Sequence, residues 1–182
     1  MGTTDVLRIR PARIGDAARI ARLQVDSYRS AYAGILPQDH LDRFSYADQE
    51  ADWIALLTGT TTDVVLVAES GDGQLSGYAV GRSPASFAAP YDSELVSLHV
   101  DRTLHRQGIG RRLVAATAEA LGARGSQAMM LWVLEANPAS AFYERLGAIP
   151  LDGQKLTLNA CEVAYGWPDT REIASPVPGV NA

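Results

Sequence analysis

The sequence predicts a mixed α/β fold, in which helices and one sheet share a common core. Two apolar segments, residues 64–69 and 75–82, flank the turn sequence SGDG at 70–73 and predict a β-hairpin. An alternating strand over 94–100 is followed by an amphipathic helix and by the continuous apolar run AMMLWVL, which is typical of a strand covered on both faces. Since hairpin and strand–helix–strand signals occur in one chain, a doubly wound parallel sheet is not expected.

The first third of the chain predicts one strand and three helices. Residues 6–10 alternate apolar and charged side chains before a proline, which is typical of a short edge strand. Asp16 is expected to cap a helix that ends by Gly34. Two shorter helices are predicted around residues 39–44 and 48–57.

The rest of the chain alternates strands with helices. After the hairpin, a loop with two prolines is expected over residues 83–90. The later elements are a central strand at 94–100, a helix at 108–123, a strand at 128–134, a helix from Pro138 to Leu146, and strands near 149–151 and 155–167. We assign residues 1–167 to a single domain and residues 168–182, which hold three prolines and little apolar content, to a C-terminal tail.

Composition and charge argue against several classes of protein. The chain has 182 residues, 47% apolar and 20% charged, which suits one globular domain. A net charge of −5 argues against a general nucleic-acid binder. Cys161 is the single cysteine, so no internal disulfide can form, and with three scattered histidines no metal site is expected. The chain shows neither a signal peptide nor an apolar run long enough to span a membrane, so we expect a cytoplasmic protein.

The segment LHVDRTLHRQGIGRRL, residues 98–113, carries the clearest chemical signal. A strand leads into a glycine-bearing loop that opens directly into a helix, and a helix N-terminus offers unpaired N–H groups and a partial positive charge to anions. Gly108 and Gly110 allow the backbone to approach such an anion. Arg111 and Arg112 stand in the first turn, where each cation costs roughly 0.3–1 kcal/mol unless an anion offsets it. We therefore predict phosphate binding, with solvated arginines as the alternative.

The common nucleotide-binding fingerprints do not fit this loop. The dinucleotide fingerprint requires a third glycine three residues after the second, and Leu113 stands there. The P-loop requires Gly-Lys followed by Ser or Thr, which is absent. Neither a Rossmann fold nor a P-loop enzyme is expected.

The loop resembles the pyrophosphate loop of the GNAT superfamily of N-acetyltransferases, Gln/Arg-x-x-Gly-x-Gly/Ala. Gly108, Ile109 and Gly110 fill its last three positions, while His105 stands where Gln or Arg is usual. A second segment, NPASAFYERLGA at residues 137–148, resembles the family's segment in which an Asn precedes Phe-Tyr-x3-Gly-Phe, with alanine in place of the final aromatic residue. The two motifs occur in the order and at the spacing found in the family.

The resemblance implies a three-layer fold with a mostly antiparallel central sheet and helices on both faces. Two parallel strands, here residues 94–100 and 128–134, splay apart to admit the pantetheine arm of acetyl-CoA. The implied activity is direct transfer of the acetyl group from acetyl-CoA, the co-substrate, to a primary amine. A catalytically silent acetyl-CoA-binding module of the same fold is the alternative. A homodimer is a further expectation from relatives.

The residues that the resemblance implies for cofactor binding are Leu98, His99, Val100, His105, Arg106, Gln107, Gly108, Ile109, Gly110, Arg111 and Asn137. The loop would hold the pyrophosphate through its N–H groups. The strand backbone would pair with the pantetheine arm, and one of its N–H groups would polarise the thioester carbonyl. Asn137 borders the cofactor in relatives, although it could serve only as a helix cap.

Two residues are predicted to carry the proton transfers. Tyr143 is the candidate acid toward the leaving thiolate, because a phenol with a pKa of about 10 is protonated at pH 7. Glu94 is the candidate base for the acceptor ammonium, directly or through water, and His99 is a weaker rival. The alternatives are that Tyr143 is a core aromatic residue and Glu94 a solvated carboxylate.

The acceptor is expected between the first helices and the loop before the central strand. Tyr28, Tyr32 and Phe87 are the candidate acceptor-binding residues. Residues 26–52 carry six acids, which would suit a cationic amine or would form an ordinary solvated helix face. The sequence does not distinguish a small-molecule amine from a peptide amine.

Overall fold

The computed structural model describes residues 7–173 and contains seven strands and five helices within them. The strands are β1 (Arg8–Pro11), β2 (Val64–Glu69), β3 (Leu75–Arg82), β4 (Ser93–Val100), β5 (Met129–Leu134), β6 (Ile149–Thr157) and β7 (Ala160–Trp167). The helices are α1 (Ala17–Tyr32), α2 (Gln38–Arg43), α3 (Tyr46–Thr58), α4 (Ile109–Gly122) and α5 (Ser140–Arg145). The predicted strands and helices are present except that the strand expected over residues 155–167 is divided between β6 and β7.

The strands form one sheet in the order β1-β2-β3-β4-β5-β7-β6. Every neighbouring pair is antiparallel except β4 and β5, which run parallel. The predicted mixed α/β fold with a mostly antiparallel sheet is therefore confirmed.

Helices cover both faces of this sheet. On one face, Leu113 and Val114 of α4 pack in a core with Leu66 and Met129. On the other face, α1 and α3 bury their apolar side chains against strands β2 and β3; the buried members are Ala17, Ile20, Ala21, Trp53, Val65, Val67, Tyr78 and Val80. We call these the α4 face and the α1 face. Because side chains alternate along each strand, the strand residues between bulges can be assigned to one face or the other.

The two parallel strands share only a short ladder. They pair at Ser93 with Met129 and at Glu94 with Met130, and then separate. Beyond these pairs β4 stays with β3 while β5 continues beside β7. The gap between residues 95–100 and 131–134, called the slot below, is the splayed position that the sequence predicted.

One predicted strand is divided by a turn. Residues 155–167 were expected to form a single strand, but the chain reverses at Leu158 and Asn159, so β6 extends to Thr157. Both turn residues have left-handed backbone angles, with φ of 50° and 64°. Leucine seldom adopts this conformation, and the sequence therefore gave little sign of the turn.

The start of the predicted tail packs against the domain. Ile173 is only 4% exposed and joins the core on the α4 face. The backbone N–H of Thr170 donates to the carbonyl of Gln127 at 2.9 Å, which ties residues 168–173 to the loop before β5. The domain thus continues past residue 167, because an apolar anchor follows the first proline. The remainder of the predicted tail lies outside the described residues, as does Val6.

None of the helices within residues 7–173 is both long enough and apolar enough to cross a lipid bilayer.

Candidate active site

The backbone of β4 directs two residues into the slot. Asp101 N–H donates to the Ser76 carbonyl of β3 at 2.9 Å, which marks this position as a hydrogen-bonded pair. Because such pairs alternate along an antiparallel ladder, His99 also bonds to β3, while Leu98 and Val100 point their N–H and C=O groups away from β3, toward β5. An extended ligand in the slot would meet these groups as an added strand does, although the Val100 carbonyl is also contacted by His105.

A β-bulge lies where the slot opens. Ser97 pairs with Val80 and Leu95 pairs with Gly81, so Val96 has no partner in β3. A bulge bends its strand and increases the local twist. Its position just after Glu94 contributes to the separation of β4 from β5.

The loop that joins β4 to α4 closes one end of the slot. His105 Nε2 lies 3.1 Å from the Val100 carbonyl oxygen, so this side chain contacts a backbone group of the slot. Arg106 and Gly108 have left-handed backbone angles, with φ of 69° and 78°. Gly108 is the residue before α4, and the first N–H groups of that helix therefore point into the loop. An exposed loop of this shape can hold a phosphate group.

The second loop glycine also controls packing. A Cβ atom at Gly110 would lie 3.2 Å from Cζ of Phe142. The first turn of α4 is thus in close contact with α5, the helix that carries Tyr143. The glycine loop therefore lies directly against the helix that carries the candidate acid.

The arginines near the loop do not act as one cluster. Arg112 Nη2 donates to the Leu7 carbonyl at 2.7 Å, on the side of β1. Arg102 Nη1 donates to Ser30 Oγ of α1 at 3.0 Å. The Arg112 guanidinium therefore has a backbone acceptor far along the chain, and the expectation that a bound anion offsets the first-turn arginines stays a prediction. Arg111 and Arg106 are the exposed arginines nearest the helix start.

Tyr143 approaches the slot from the α4 face. It is 9% exposed and packs edge-on against Phe142 and Trp167, at centroid distances of 5.1 and 6.3 Å. Burial, together with the neighbouring Tyr32, raises the pKa of Tyr143 well above its usual value. The phenol is therefore protonated at neutral pH, as a proton donor requires. The residue is both a core aromatic and a candidate acid.

Tyr32 connects α1 to the second motif. Burial and the neighbouring Tyr28 and Glu162 raise the pKa of Tyr32 to about 12, while a hydrogen bond with Asn137 opposes the rise. Asn137 Oδ1 also accepts the Ala139 N–H at 3.0 Å, at the start of α5. Asn137 thus stabilises the turn that leads into α5, whose N-cap residue is Ala139, and its side chain also lies beside Tyr32.

Glu94 lies on the opposite face from Tyr143. Its neighbour Leu95 is buried on the α4 face, so Glu94 points to the α1 face. The Glu94 residue is 8% exposed, and Oε2 accepts the Ser86 N–H at 3.0 Å. The two candidate proton-transfer residues therefore flank the slot from its two sides, and Glu94 is not the solvated carboxylate of the alternative reading.

His99 is the residue whose placement differs most from expectation. Its backbone bonds to β3 and its ring stacks on Tyr78, with centroids 5.2 Å apart. Nδ1 lies 2.9 Å from Ser27 Oγ on α1. Burial lowers the pKa of His99 to about 4. The His99 backbone therefore faces β3 and its ring is a weak base near neutral pH, while its role as a cofactor contact stays a prediction.

The predicted acceptor residues line the α1 face. Tyr28 stacks on Phe44 and meets Tyr32 edge-on, at centroid distances of 4.4 and 4.6 Å. Phe87 packs on Trp132 from the other side, 5.7 Å between centroids. These aromatic groups flank the open part of β5.

A carboxylate on this face was not identified from the sequence. Glu162 of β7 raises the pKa of both Tyr28 and Tyr32, after burial as the main cause. It is held by Lys155 Nζ at 3.1 Å and by Thr157 Oγ1 at 3.0 Å. The alternation of side chains along the final strand could have indicated that Glu162 lies on this face. The turn at residues 158–159 was not predicted, so the pairing of Glu162 with β6 was not evident.

The acids of residues 26–52 are largely engaged in local contacts. Asp39 pairs with Arg43 one turn later at 2.7 Å, and Asp48 accepts a hydrogen bond from Ser45 at the start of α3. Asp26 accepts the Tyr46 hydroxyl at 2.6 Å. These contacts favour an ordinary helix surface over an acidic acceptor wall.

Comparison with known proteins gives a consistent result. A family model described as the acetyltransferase (GNAT) family matches residues 20–148. The uncharacterized N-acetyltransferase YuaI of Bacillus subtilis (strain 168) is 32% identical over 167 residues, which cover 90% of this chain and 94% of the relative.

Solved structures share the fold. The PaiA N-acetyltransferase of Thermoplasma acidophilum, in complex with coenzyme A, superposes with a TM-score of 0.69 at 18% identity, over 89% of this chain and 99% of that one. YncA of Salmonella typhimurium, with acetyl-CoA, gives a TM-score of 0.62 at 23% identity, over 95% and 99%. At these identities the likeness concerns the arrangement of strands and helices.

Proposed function

The chain belongs to the GNAT family of acetyltransferases, and we propose that it moves the acetyl group of acetyl-CoA directly to a primary amine. The observation that carries the proposal is the slot, where β4 and β5 part after two residue pairs. One end of the slot meets the N-terminus of α4, and its two sides are flanked by Glu94 and Tyr143.

Acetyl-CoA is the co-substrate, and the residues around the slot suit it. The N–H groups at the start of α4 and the loop at 105–108 would hold the pyrophosphate, which the positive helix end favours. Leu98 and Val100 would pair with the amides of the pantetheine arm. An N–H of this pair would also polarise the thioester carbonyl. Asn137 would contact the arm from the side of α5.

The proton transfers divide between the two faces. Glu94, on the α1 face, would take a proton from the acceptor ammonium, directly or through water, so that the neutral nitrogen attacks the acetyl carbon. Tyr143, on the α4 face, would give a proton to the sulfur as the carbon–sulfur bond breaks. The phenol is protonated at neutral pH, so the proton is present when the thiolate leaves.

The acceptor, a small-molecule or peptide amine, would enter on the α1 face. Tyr28, Tyr32 and Phe87 would bound it there. These aromatic groups would contact its apolar part, and Glu162 would lie near a positive charge on it. The homodimer and the cytoplasmic location stay predictions from the sequence.

The test follows acetyl-CoA consumption as free thiol across polyamines, aminoglycosides, amino acids and N-terminal peptides. Turnover on one class is expected, with kcat lowered about 10²-fold or more in Glu94→Gln and Tyr143→Phe. Acetyl-CoA binding without turnover on any amine would contradict the transfer reaction and favour a silent binding module. Absence of acetyl-CoA binding by calorimetry would contradict the role of the slot itself.

A further inference from the structure

Trp132 lies beside the slot on the same face as Glu94. Glu94 pairs with Met130 in the short ladder between β4 and β5, and Trp132 follows two residues later on β5. Residues two apart on a strand share a face, so the indole leaves the sheet toward the acceptor side. At this point β5 has already separated from β4. The indole therefore borders the open part of the slot.

Two consecutive hydrogen bonds connect this indole to the Glu94 carboxylate. Trp132 Nε1 donates to Ser86 Oγ at 3.0 Å. The backbone N–H of Ser86 then donates to Glu94 Oε2 at 3.0 Å. Because both bonds end on one loop residue, the position of Ser86 couples the indole to the carboxylate.

Neighbouring groups hold the indole and the loop in place. The Phe87 ring packs edge-on against Trp132, and a Cβ atom at Gly153 of β6 would lie 2.5 Å from that phenyl ring. The β6 backbone is therefore directly against Phe87. Lys155 Nζ lies 4.5 Å from the centre of the Trp132 ring and 3.1 Å from a Glu162 oxygen. The indole is thus fixed between the loop and β6.

We propose that Trp132 is a positioning residue of the acetyl transfer, which acts through Ser86 to orient the Glu94 carboxylate toward the acceptor. The inference rests on the proposed role of Glu94 as base. With Oε2 held by a backbone N–H, the carboxylate has fewer orientations, and its other oxygen is presented to the incoming ammonium. A base works only within hydrogen-bond reach of the proton it removes, so this orientation affects the rate.

The test removes each half of the connection. Trp132→Phe deletes the indole donor and keeps an aromatic ring, and Ser86→Ala deletes the acceptor oxygen and keeps the backbone N–H. For the best amine of the panel, each variant should lower kcat about tenfold and leave the KM for acetyl-CoA within about twofold. The double variant should be no slower than either single variant, since both remove the same connection.

A matched control separates this effect from general destabilisation. Trp53→Phe also deletes an indole hydrogen bond, to Gln24 Oε1 at 2.6 Å, in the core between α1 and α3. It should lower the melting temperature and leave kcat unchanged. If Trp132→Phe and Ser86→Ala keep the wild-type kcat while Glu94→Gln is slow, the connection through Ser86 is refuted and the role of Glu94 stands. If Glu94→Gln is as fast as the wild type, the proposed base and this inference both fail.

Discussion

Arg10 and Asp16 form a bidentate ion pair, in which Nη1 and Nη2 lie 2.7 and 3.0 Å from the two carboxylate oxygens. The residues are 8% and 2% exposed. Glu69 of β2 binds the other edge of the same guanidinium, at 2.7 and 2.9 Å. The hydrogen bond from Arg10, supported by the Arg13 N–H, lowers the pKa of Asp16 to about 2. Asp16 precedes α1 as expected, but its carboxylate serves this ion pair and does not cap that helix.

The ion pair predicts a pH-dependent stability. The Asp16 pKa rises from about 2 in the folded chain to 3.8 when unfolded, so the unfolded chain binds the proton first as the pH falls. The contribution of the carboxylate, of order 2 kcal/mol, is complete above about pH 5 and lost progressively down to about pH 2. Urea unfolding from pH 7 to 2.5 should show that Asp16→Asn is strongly destabilised at pH 7. The difference in free energy of unfolding between the variant and the wild type should decrease as the pH falls.

An exposed pair provides the control for that measurement. Asp39 and Arg43 lie 2.7 Å apart with side chains 73% and 75% exposed, so Asp39→Asn should cost at most about 0.5 kcal/mol. If the free energies of unfolding of the wild type and Asp16→Asn differ by the same amount at every pH from 7 to 2.5, the ion pair does not stabilise the folded chain as described.

Gly108 provides a test of the phosphate-binding loop. Its φ of 78° lies in the left-handed region, where an alanine costs roughly 1–2 kcal/mol. Gly108→Ala should therefore displace the loop and weaken acetyl-CoA binding about tenfold by calorimetry. Gly122→Ala is the control in the same helix, because a Cβ there meets no atom within 4 Å and needs no left-handed angle. Equal affinities in the two variants would contradict the assignment of the loop.

His99 predicts a second pH effect, in a higher range. Burial lowers its pKa from 6.5 to about 4, so the unfolded chain gains a proton before the folded one as the pH falls. The wild type should lose stability between about pH 6.5 and 4 from this group. In His99→Phe, which keeps a ring against Tyr78, this part of the pH dependence should disappear from melting curves. An unchanged dependence would show that His99 is protonated in the folded chain.

Local signals predicted most of the secondary structure. The bounds of β2 and β3 agree with the predicted 64–69 and 75–82, because a strong turn sequence separates two apolar runs. The turn at Leu158 and Asn159 could not be read in the same way, since a leucine with positive φ carries no turn signal. That single omission concealed the pairing of Lys155 with Glu162.

In the candidate site too, the features that are local in the sequence could be predicted and the contacts between distant residues could not. The glycines of residues 108–110 and the segment around Tyr143 were evident because each motif is continuous in the chain. The contact of Arg112 with the Leu7 carbonyl spans 105 residues, and the bond from Trp132 to Ser86 spans 46. Nothing in the local sequence specifies such a partner.

The sequence by itself determined the element order, the glycine loop before α4 and the family, because these depend on neighbouring residues and on side-chain periodicity. The tertiary structure decided which side chains meet: that Glu94 and Tyr143 face the slot from opposite sides, that His99 turns toward α1, and that Ser86 holds Glu94. The physical reason is that a hydrogen bond or a buried charge depends on atoms within a few ångströms, and the separation of β4 from β5 sets those distances.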